Sequence, residues 1–204
     1  MKAEAAALKN EYAVTDPEME IIINNEGNVV VDGVNAADTK RIVQLLLSVP
    51  NGVQAMSHDI EGLVETSLNL GILNLLEDKL QFSFSIRSAV ASAKTALMRK
   101  TRMVAEAFGC EVSVHGDYPA WEFKRESAFR DELVAIYKEM TGEEPIVETM
   151  HAGVECGLLA SKLPGLDAVS IGPEMHDIHT PKERLGIAST ERIYNYVIKV
   201  IESM

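Results

Sequence analysis

Residues 168–183 read AVSIGPEMHDIHTPKE, and this stretch decides the fold class of the second half of the chain. The short apolar run at 168–171 predicts a buried strand, because a Gly-Pro pair ends it abruptly. Helices are predicted around 156–161 before it and at 189–201 after it. A strand near 146–147 completes the order strand, helix, strand, helix, which is typical of a parallel α/β unit.

The rest of this stretch is polar and follows directly on the predicted strand. It contains His176 and His179 among several carboxylates. Ligand sites of α/β sheets lie outside the carboxyl ends of strands, and imidazole together with carboxylate suits zinc. The spacing His-x-x-His fixes no chelate geometry in a loop, so it equally allows a neutral histidine that is hydrogen-bonded within the loop.

The first half of the chain has a different pattern. Apolar residues recur on a short period along residues 63–76 and alternate with polar ones along 80–86, which predicts two antiparallel strands joined by a hairpin. A helix at 93–108, ended by Gly109, and an alternating strand at 110–115 follow. Two strands, a helix and a strand are typical of the split βαβ arrangement, an open sheet with helices on one face.

Local signals predict the remaining elements. They are a helix at 2–13, a strand at 19–23, and helices at 38–47 and 127–140. Asp38 or Thr39 is the expected cap of the second of these helices, and Ser127 is the expected cap of the third. The third helix is expected to end at a glycine, Gly142.

The change of pattern near residue 117 predicts a domain boundary. Residues 1–116 are expected to form an α+β module, and residues 117–204 an α/β module, so the expected fold class is α/β. The first helix begins abruptly, with no capping residue before it, which indicates a chain cut from a longer protein.

Polar residues interrupt the apolar pattern at three further places. Asn69 interrupts the first hairpin strand, and Arg87 ends the second. A guanidinium can hold a small carboxylate with two hydrogen bonds, although both residues are equally typical of a strand surface. Residues 151–157, HAGVECG, precede a helix, where small residues admit a ligand and the helix N-terminus favours an anion. A nucleophile built from Cys156 and His151 is the alternative there, and a buried, inert cysteine is the expected case.

The amino-acid composition narrows the classes of molecule that the chain could bind. Nineteen Lys and Arg against 31 Asp and Glu give a net charge of −12, which repels a phosphate backbone, so no nucleic-acid binding is expected. The two cysteines form no Cys-x-x-Cys pair, and a cytoplasmic location is expected. No apolar run approaches the roughly 18 residues of a bilayer span, and the start lacks the apolar stretch of a signal peptide, so no membrane contact is expected.

Four segments together resemble one family of enzymes. They are VETSLNLGIL (64–73), SIRSA (85–89), GDYPAW (116–121) and HAGVECGLLASKLPGLDAVSIGPEMHDIHTPKERL (151–185). They are similar to the aminoacyl-histidine dipeptidases, in the zinc metallopeptidase superfamily that includes carnosinases and carboxypeptidase-like enzymes. The resemblance covers nearly the whole chain. It implies a lid module followed by the C-terminal part of an α/β catalytic domain.

The resemblance also implies roles for five residues. His179, in the element His-Thr-Pro-Lys-Glu, would be the last ligand of a site that holds two zinc ions. Asn69 and Arg87 would hold the carboxylate end of the substrate, and Glu155 and Gly153 would shape the pocket. The substrates would be dipeptides with a C-terminal histidine, and the intact enzyme would be a cytoplasmic homodimer.

The implied reaction is hydrolysis by a metal-activated water. The general base and the other metal ligands would lie upstream of this chain, so no catalytic residue is expected in it and the isolated chain is expected to be inactive. Two alternatives from other classes remain. One is a non-catalytic dimerisation or binding module that uses the lid sheet, and the other is a cysteine-dependent hydrolase, which needs Cys156 exposed beside His151.

Overall fold

The computed structural model describes residues 1–30, 32–149 and 155–204. Within these ranges the helices are α1 (Lys2–Glu11), α2 (Ala36–Ser48), α3 (Ala91–Ala107), α4 (Ala128–Thr141), α5 (Glu155–Lys162) and α6 (Ile187–Ser203). The strands are β1 (Gly52–Met56), β2 (Val64–Leu75), β3 (Leu80–Ser88), β4 (Met175–His176) and β5 (Arg184–Leu185). None of the helices in these ranges combines the length and the apolar character that a bilayer span requires. The described chain forms two compact units, residues 1–40 and 41–204.

In the first unit, α1 confirms a predicted helix, but the predicted strand at 19–23 is wrong. Met19, Ile21 and Ile23 are half-buried and the residues between them are exposed, so the side chains do alternate as in a strand. A strand also needs a backbone ladder, and within the described ranges this segment joins none. Alternation is a local property of the sequence, whereas pairing depends on a distant segment.

The start of α2 differs from the prediction. The backbone N–H of Asp38 donates to Asn35 Oδ1 at 2.9 Å, and Asn35 Nδ2 donates to Asp38 Oδ2 at 2.7 Å. The expectation that Asp38 or Thr39 caps the helix is therefore wrong. Asp38 lies in the first turn, and its carboxylate completes a reciprocal capping pair with Asn35.

The predicted hairpin is confirmed, and the sheet has one additional strand. β2 and β3 pair antiparallel, with Leu68 opposite Ile86, and β1 pairs antiparallel with the other edge of β2. The register of β1 shifts between Val53 and Ala55 and again between Ala55 and Met56. Such irregularities break the alternation by which a strand is recognised in a sequence, which explains why β1 was not predicted.

One face of this sheet carries the first hydrophobic core. Leu68 is 1% exposed and packs with Leu45, Val49 and Leu97. The partly buried apolar residues around this cluster are Phe82, Phe84, Ile86, Val104, Phe108 and Cys110. Leu45 of α2 and Leu97 of α3 therefore pack on the same face of the sheet, as the split βαβ arrangement predicts.

The end of α3 agrees with the prediction, and the segment after it does not. Gly109 has a φ of 76°, in the left-handed region that glycine adopts at low cost after a helix. The backbone N–H of Cys110 donates to the carbonyl O of Ala105 at 3.0 Å. The predicted strand at 110–115 is wrong, because within the described ranges this segment joins no ladder.

α4 and α6 form the second hydrophobic core and confirm two predicted helices. Leu133, Ile136, Tyr196 and Val200 are buried there. The hydroxyl of Tyr196 donates to the carbonyl O of Leu133 at 2.7 Å. Burial, and then the neighbouring Tyr137, raise the pKa of the Tyr196 hydroxyl, so it stays a donor through the neutral range.

Both ends of α4 are capped as the sequence predicts. Ser127 Oγ accepts a hydrogen bond from the backbone N–H of Arg130 at 3.1 Å, and Gly142 ends the helix with a φ of 75°. Asp167 reinforces the start of the helix, because it accepts from Ser127 Oγ at 2.8 Å and from the backbone N–H of Phe129 at 3.3 Å. Asp167 therefore joins the loop after α5 to the start of α4.

Asp167→Asn is expected to lower the free energy of unfolding by about 1–2 kcal/mol near neutral pH, because it removes a charged acceptor from a helix start. Burial alone would raise the pKa of the Asp167 carboxyl, but the hydrogen bonds from Ser127 and Phe129 and the charge of Lys124 outweigh it and hold the pKa below its ordinary value. A carboxyl whose pKa falls on folding stabilises the protein above the pKa of the unfolded chain, about 4, and this stability is lost as the pH falls through the folded-state pKa.

Urea unfolding from acidic to neutral pH measures both parts of this prediction. The Asp167→Asn variant should lose stability mainly at neutral pH. Its free energy of unfolding should also fall less steeply than that of the wild type as the pH is lowered into the acidic range. Asp78→Asn, in the exposed turn of the β2–β3 hairpin, is the control. Identical profiles for Asp167→Asn and the wild type would contradict this account of the helix start.

The predicted parallel α/β unit is not formed within the described ranges. Residues 146–147 and 168–171 belong to no ladder, and β4 and β5 instead make a short antiparallel hairpin. A parallel strand inside a sheet needs neighbouring strands that its own sequence does not specify. Val169 packs against the second core, as a buried strand residue would. The predicted helix around 156–161 is confirmed by α5.

Polar contacts tie the segment after Gly116 to the start of α3. Lys94 Nζ donates to Asp117 Oδ1 at 2.6 Å and to the carbonyl O of Tyr118 at 2.5 Å. The first backbone N–H of α3 donates to Glu122 Oε1 at 3.1 Å. The predicted domain boundary falls at this segment and stays a prediction.

Candidate functional site

Asn69 and Arg87 lie on one face of the sheet. In the register of β2 and β3, Asn69 is opposite Ser85 and Arg87 is opposite Ser67. Successive strand residues point to opposite faces of a sheet. Asn69 and Arg87 therefore lie on the face opposite to the one that carries Leu68 and the first hydrophobic core. Diagonal neighbours in an antiparallel pair lie roughly 7–8 Å apart. The structure thus brings together the two residues expected to bind a carboxylate.

The chemistry of this face suits an anion. The side chains of Asn69 and Arg87 are both exposed. In the part of the chain that the structure describes, no ion pair or hydrogen bond engages the Arg87 guanidinium. A guanidinium and a neighbouring amide can donate together to one carboxylate. Binding of a substrate by this pair stays a prediction.

His179 lies in the loop that joins β4 and β5. The two strands pair with His176 opposite Arg184, and residues 177–183 connect them. Two residues of this loop other than glycine have a left-handed backbone, Asp177 with a φ of 55° and His179 with a φ of 66°. Residues with a side chain seldom adopt this left-handed conformation, and each residue that does so costs about 1–3 kcal/mol of folding free energy. The rest of the loop therefore has to stabilise the conformation of Asp177 and His179.

Polar contacts from several side chains stabilise this loop. Glu183 Oε2 accepts a hydrogen bond from the backbone N–H of His179 at 2.9 Å. Arg184 Nη2 donates to Asp177 Oδ2 at 2.8 Å, and the hydroxyl of Thr180 donates to the carbonyl O of Asp177 at 2.7 Å. These contacts are exposed to solvent, so each contributes about 1 kcal/mol or less, and together they offset part of the cost of the left-handed backbone.

The base of the hairpin is fixed to the start of α6. The backbone N–H of Glu174 donates to Ser189 Oγ at 2.9 Å, and the hydroxyl of Ser189 donates to the carbonyl O of Gly186 at 2.8 Å. A Cβ atom at Gly186 would lie 2.8 Å from Ser189 Oγ, closer than such atoms pack. Sequence reasoning missed this anchor, because it placed the helix start at Ser189 itself.

The segment around α5 is described only in part. Gly153 and His151 lie outside the described residues, so the predicted roles of both stay predictions. Glu155 is the exposed first residue of α5, and Cys156 is a half-buried free thiol. Gly157 is buried, and a Cβ atom there would lie 3.1 Å from the GDYPAW segment, so α5 packs directly on that segment.

The described residues do not by themselves complete a zinc site. Among them, no three or more His, Cys, Asp or Glu side chains are placed to hold a metal ion. His179 is exposed, and its described hydrogen bond uses the backbone N–H rather than the ring. Its imidazole therefore fits the role of one zinc ligand. No hydrogen bond or ion pair between described residues joins His179 to Asn69 or Arg87.

A cavity of about 340 Å³ lies elsewhere, between α4 and α6. Tyr137, Tyr196 and Arg192 are among the residues that line it. None of the predicted site residues that the structure describes, Asn69, Arg87, Glu155 and His179, lines this cavity.

No protein-family model matches the chain. The chain is similar to the cytosol non-specific dipeptidase of Escherichia coli, with 27% identity over 197 residues, which are 97% of this chain and 40% of that protein. It is also similar to the solved structure of aminoacylhistidine dipeptidase from Vibrio alginolyticus, with a TM-score of 0.84 and 30% identity over 100% of this chain and 41% of that chain. Aminopeptidase PepT from Bacillus cereus shares the fold alone, with a TM-score of 0.62 and 19% identity over 80% of this chain and 44% of that chain.

These comparisons confirm the resemblance to the aminoacyl-histidine dipeptidases that the four sequence segments indicated. The helices and small antiparallel sheets described above match the α/β peptidase fold of the Vibrio alginolyticus structure, so the expected fold class is also confirmed. The chain spans about two fifths of the length of these relatives.

Proposed function

We propose that this chain works as part of a zinc-dependent dipeptidase of the cytoplasm that hydrolyses aminoacyl-histidine dipeptides. In this proposal the chain supplies the lid that holds the substrate, and it supplies one zinc ligand, His179. The isolated chain is inactive in this proposal, because no three His, Cys, Asp or Glu side chains among the described residues are placed to hold a metal ion. Two zinc ions act in the intact protein.

The similarity to the Vibrio alginolyticus aminoacylhistidine dipeptidase carries this proposal. It extends over 100% of the chain with a TM-score of 0.84, so it rests on the whole fold rather than on one motif. The exposed polar face with Asn69 and Arg87, and the exposed imidazole of His179, are two local features that agree with it.

Each residue has a distinct task in the proposed reaction. Arg87 donates two hydrogen bonds to the terminal carboxylate of the dipeptide, and Asn69 adds a third from its amide. Glu155 and Gly153 shape the pocket. Zinc, when bound, lowers the pKa of a water and polarises the scissile carbonyl. His179 is one imidazole ligand of that zinc, and the general base comes from outside this chain.

A chimera tests the proposal. This chain would replace the matching 40% of the Escherichia coli dipeptidase, and the product would be assayed with β-alanyl-histidine and with alanyl-alanine. The proposal predicts hydrolysis by the chimera, with preference for the histidine dipeptide, and none by the isolated chain. A chimera that is folded by circular dichroism and inactive on both dipeptides would favour the alternative, a non-catalytic binding module.

Arg87→Lys in an active chimera is expected to raise KM about tenfold, because lysine keeps the charge and loses the two-pronged hydrogen bonding, a loss of roughly 1–3 kcal/mol. Arg87→Ala should raise KM further. Steady-state kinetics measures both effects, and zinc content should not change. Arg99→Lys, on the exposed surface of α3, is the matched control. An unchanged kcat/KM in both Arg87 variants would show that Arg87 is only structural.

The proposal includes a homodimer of the intact protein. Ile72, Leu73 and Leu75 are exposed near the tip of the β2–β3 hairpin, where an apolar surface is available for association. Light scattering of the chimera should give the mass of a dimer, and Leu73→Glu should shift it towards the monomer. A monomer in both cases would remove this part of the proposal.

A further inference from the structure

The loop between β4 and β5 presents His179 through an unusual backbone. Its φ of 66° places this residue in the left-handed region, where a residue with a side chain is seldom found unless its surroundings impose it. His179 carries a Cβ atom, which makes this region more costly for it than for a glycine. Something in the loop has to hold His179 there.

Glu183 is placed to do this. Its Oε2 accepts the backbone N–H of His179 at 2.9 Å, four residues earlier in the chain. The Thr180 backbone N–H donates to the carbonyl O of Asp177 at 3.2 Å and closes a turn that contains His179, while the side chains of Arg184 and Thr180 both bind Asp177. Glu183 is thus the side chain that acts on the backbone of His179 in the described loop, and it leaves the imidazole uncovered.

We infer that Glu183 is a positioning residue, whose carboxylate fixes the left-handed backbone of His179 so that the imidazole projects from the loop. The inference rests on the proposed function in one respect, because the projecting imidazole is the one proposed to bind zinc. Glu183 itself needs no contact with metal or substrate. Its effect is local, since the base of the hairpin is held separately by Ser189 and Gly186.

Amide hydrogen exchange, followed by NMR on this chain, tests the inference without metal and without an activity assay. Glu183→Ala removes the acceptor, and the His179 amide should then exchange about 10-fold faster. Glu183→Gln keeps an oxygen acceptor and should stay close to the wild type. Lys182→Ala, at the neighbouring exposed position, is the control and should change nothing at His179.

The exchange rate of the Gly186 amide distinguishes a positioning role of Glu183 from a general role in the stability of the hairpin. It donates to the carbonyl O of Glu174 at 2.9 Å at the base of the hairpin and should keep its exchange rate in all three variants. Two results would overturn the inference: an unchanged His179 amide in Glu183→Ala, or a loss of protection at His179 and Gly186 together. Neither result bears on hydrolysis by the chimera, which judges the proposed function separately.

Discussion

Leu68→Ala is expected to lower the free energy of unfolding by about 2–5 kcal/mol. Leu68 is 1% exposed, and it packs with Leu45, Val49 and Leu97 where two helices meet the sheet. Truncation removes apolar contacts and leaves a cavity that the surrounding strands and helices can fill only in part. A loss of this size is a large share of the roughly 5–15 kcal/mol that stabilises a typical domain.

Chemical unfolding in urea measures this loss. Leu47→Ala is the matched control, because Leu47 lies in α2, which contributes Leu45 to the same core, but is 82% exposed, and it should change stability by less than about 0.5 kcal/mol. Equal effects of the two substitutions would mean that Leu68 is not at the centre of the core.

His179→Ala is expected to reduce hydrolysis by the chimera more than about 100-fold. Loss of a residue that only orients a metal ligand typically costs 10- to 100-fold, so loss of a ligand should cost more. His176→Ala is the control, since His176 belongs to β4 and pairs with Arg184 rather than lying in the loop. Initial rates on β-alanyl-histidine give the comparison.

Two outcomes would speak against the role of His179. Equal losses in His179→Ala and His176→Ala would indicate that both substitutions merely disturb the hairpin. Full activity in His179→Ala would show that the loop does not take part in the reaction at all.

The end of α3 and both ends of α4 agree with the prediction from the sequence. Ser127 and Gly142 cap α4 as expected, because a capping side chain and a left-handed glycine act within a few residues of the helix they end. The capping residue of α2 was predicted wrongly, because two nearby residues can both act as caps. Asn35 and Asp38 are both good capping residues, and only the geometry shows which one lies outside the helix.

Strands were predicted well only where both partners are close in sequence. The β2–β3 hairpin was predicted because its two strands and their turn are contiguous. The segments at 19–23, 110–115 and 168–171 have the right side-chain pattern and no ladder within the described ranges. A ladder depends on a partner strand, and a single segment carries no information about where that partner lies.

The sequence indicates candidate residues for the site, whose roles stay predictions, and it does not give their geometry. Alternation along the hairpin predicts that Asn69 shares a face with Arg87, once the register is known. The left-handed backbone of His179 could not be predicted, because histidine, although enriched in that region relative to most residues, still adopts it only rarely. The role of Glu183 follows only from its contact with the His179 backbone.

Zinc content of the chimera, measured by atomic emission before and after His179→Ala, shows whether His179 binds metal. We expect about two zinc ions per chain in the unsubstituted chimera, as in a two-metal site, and about one or fewer in the folded His179→Ala variant. Equal zinc content in the two proteins would contradict the assignment of His179 as a metal ligand.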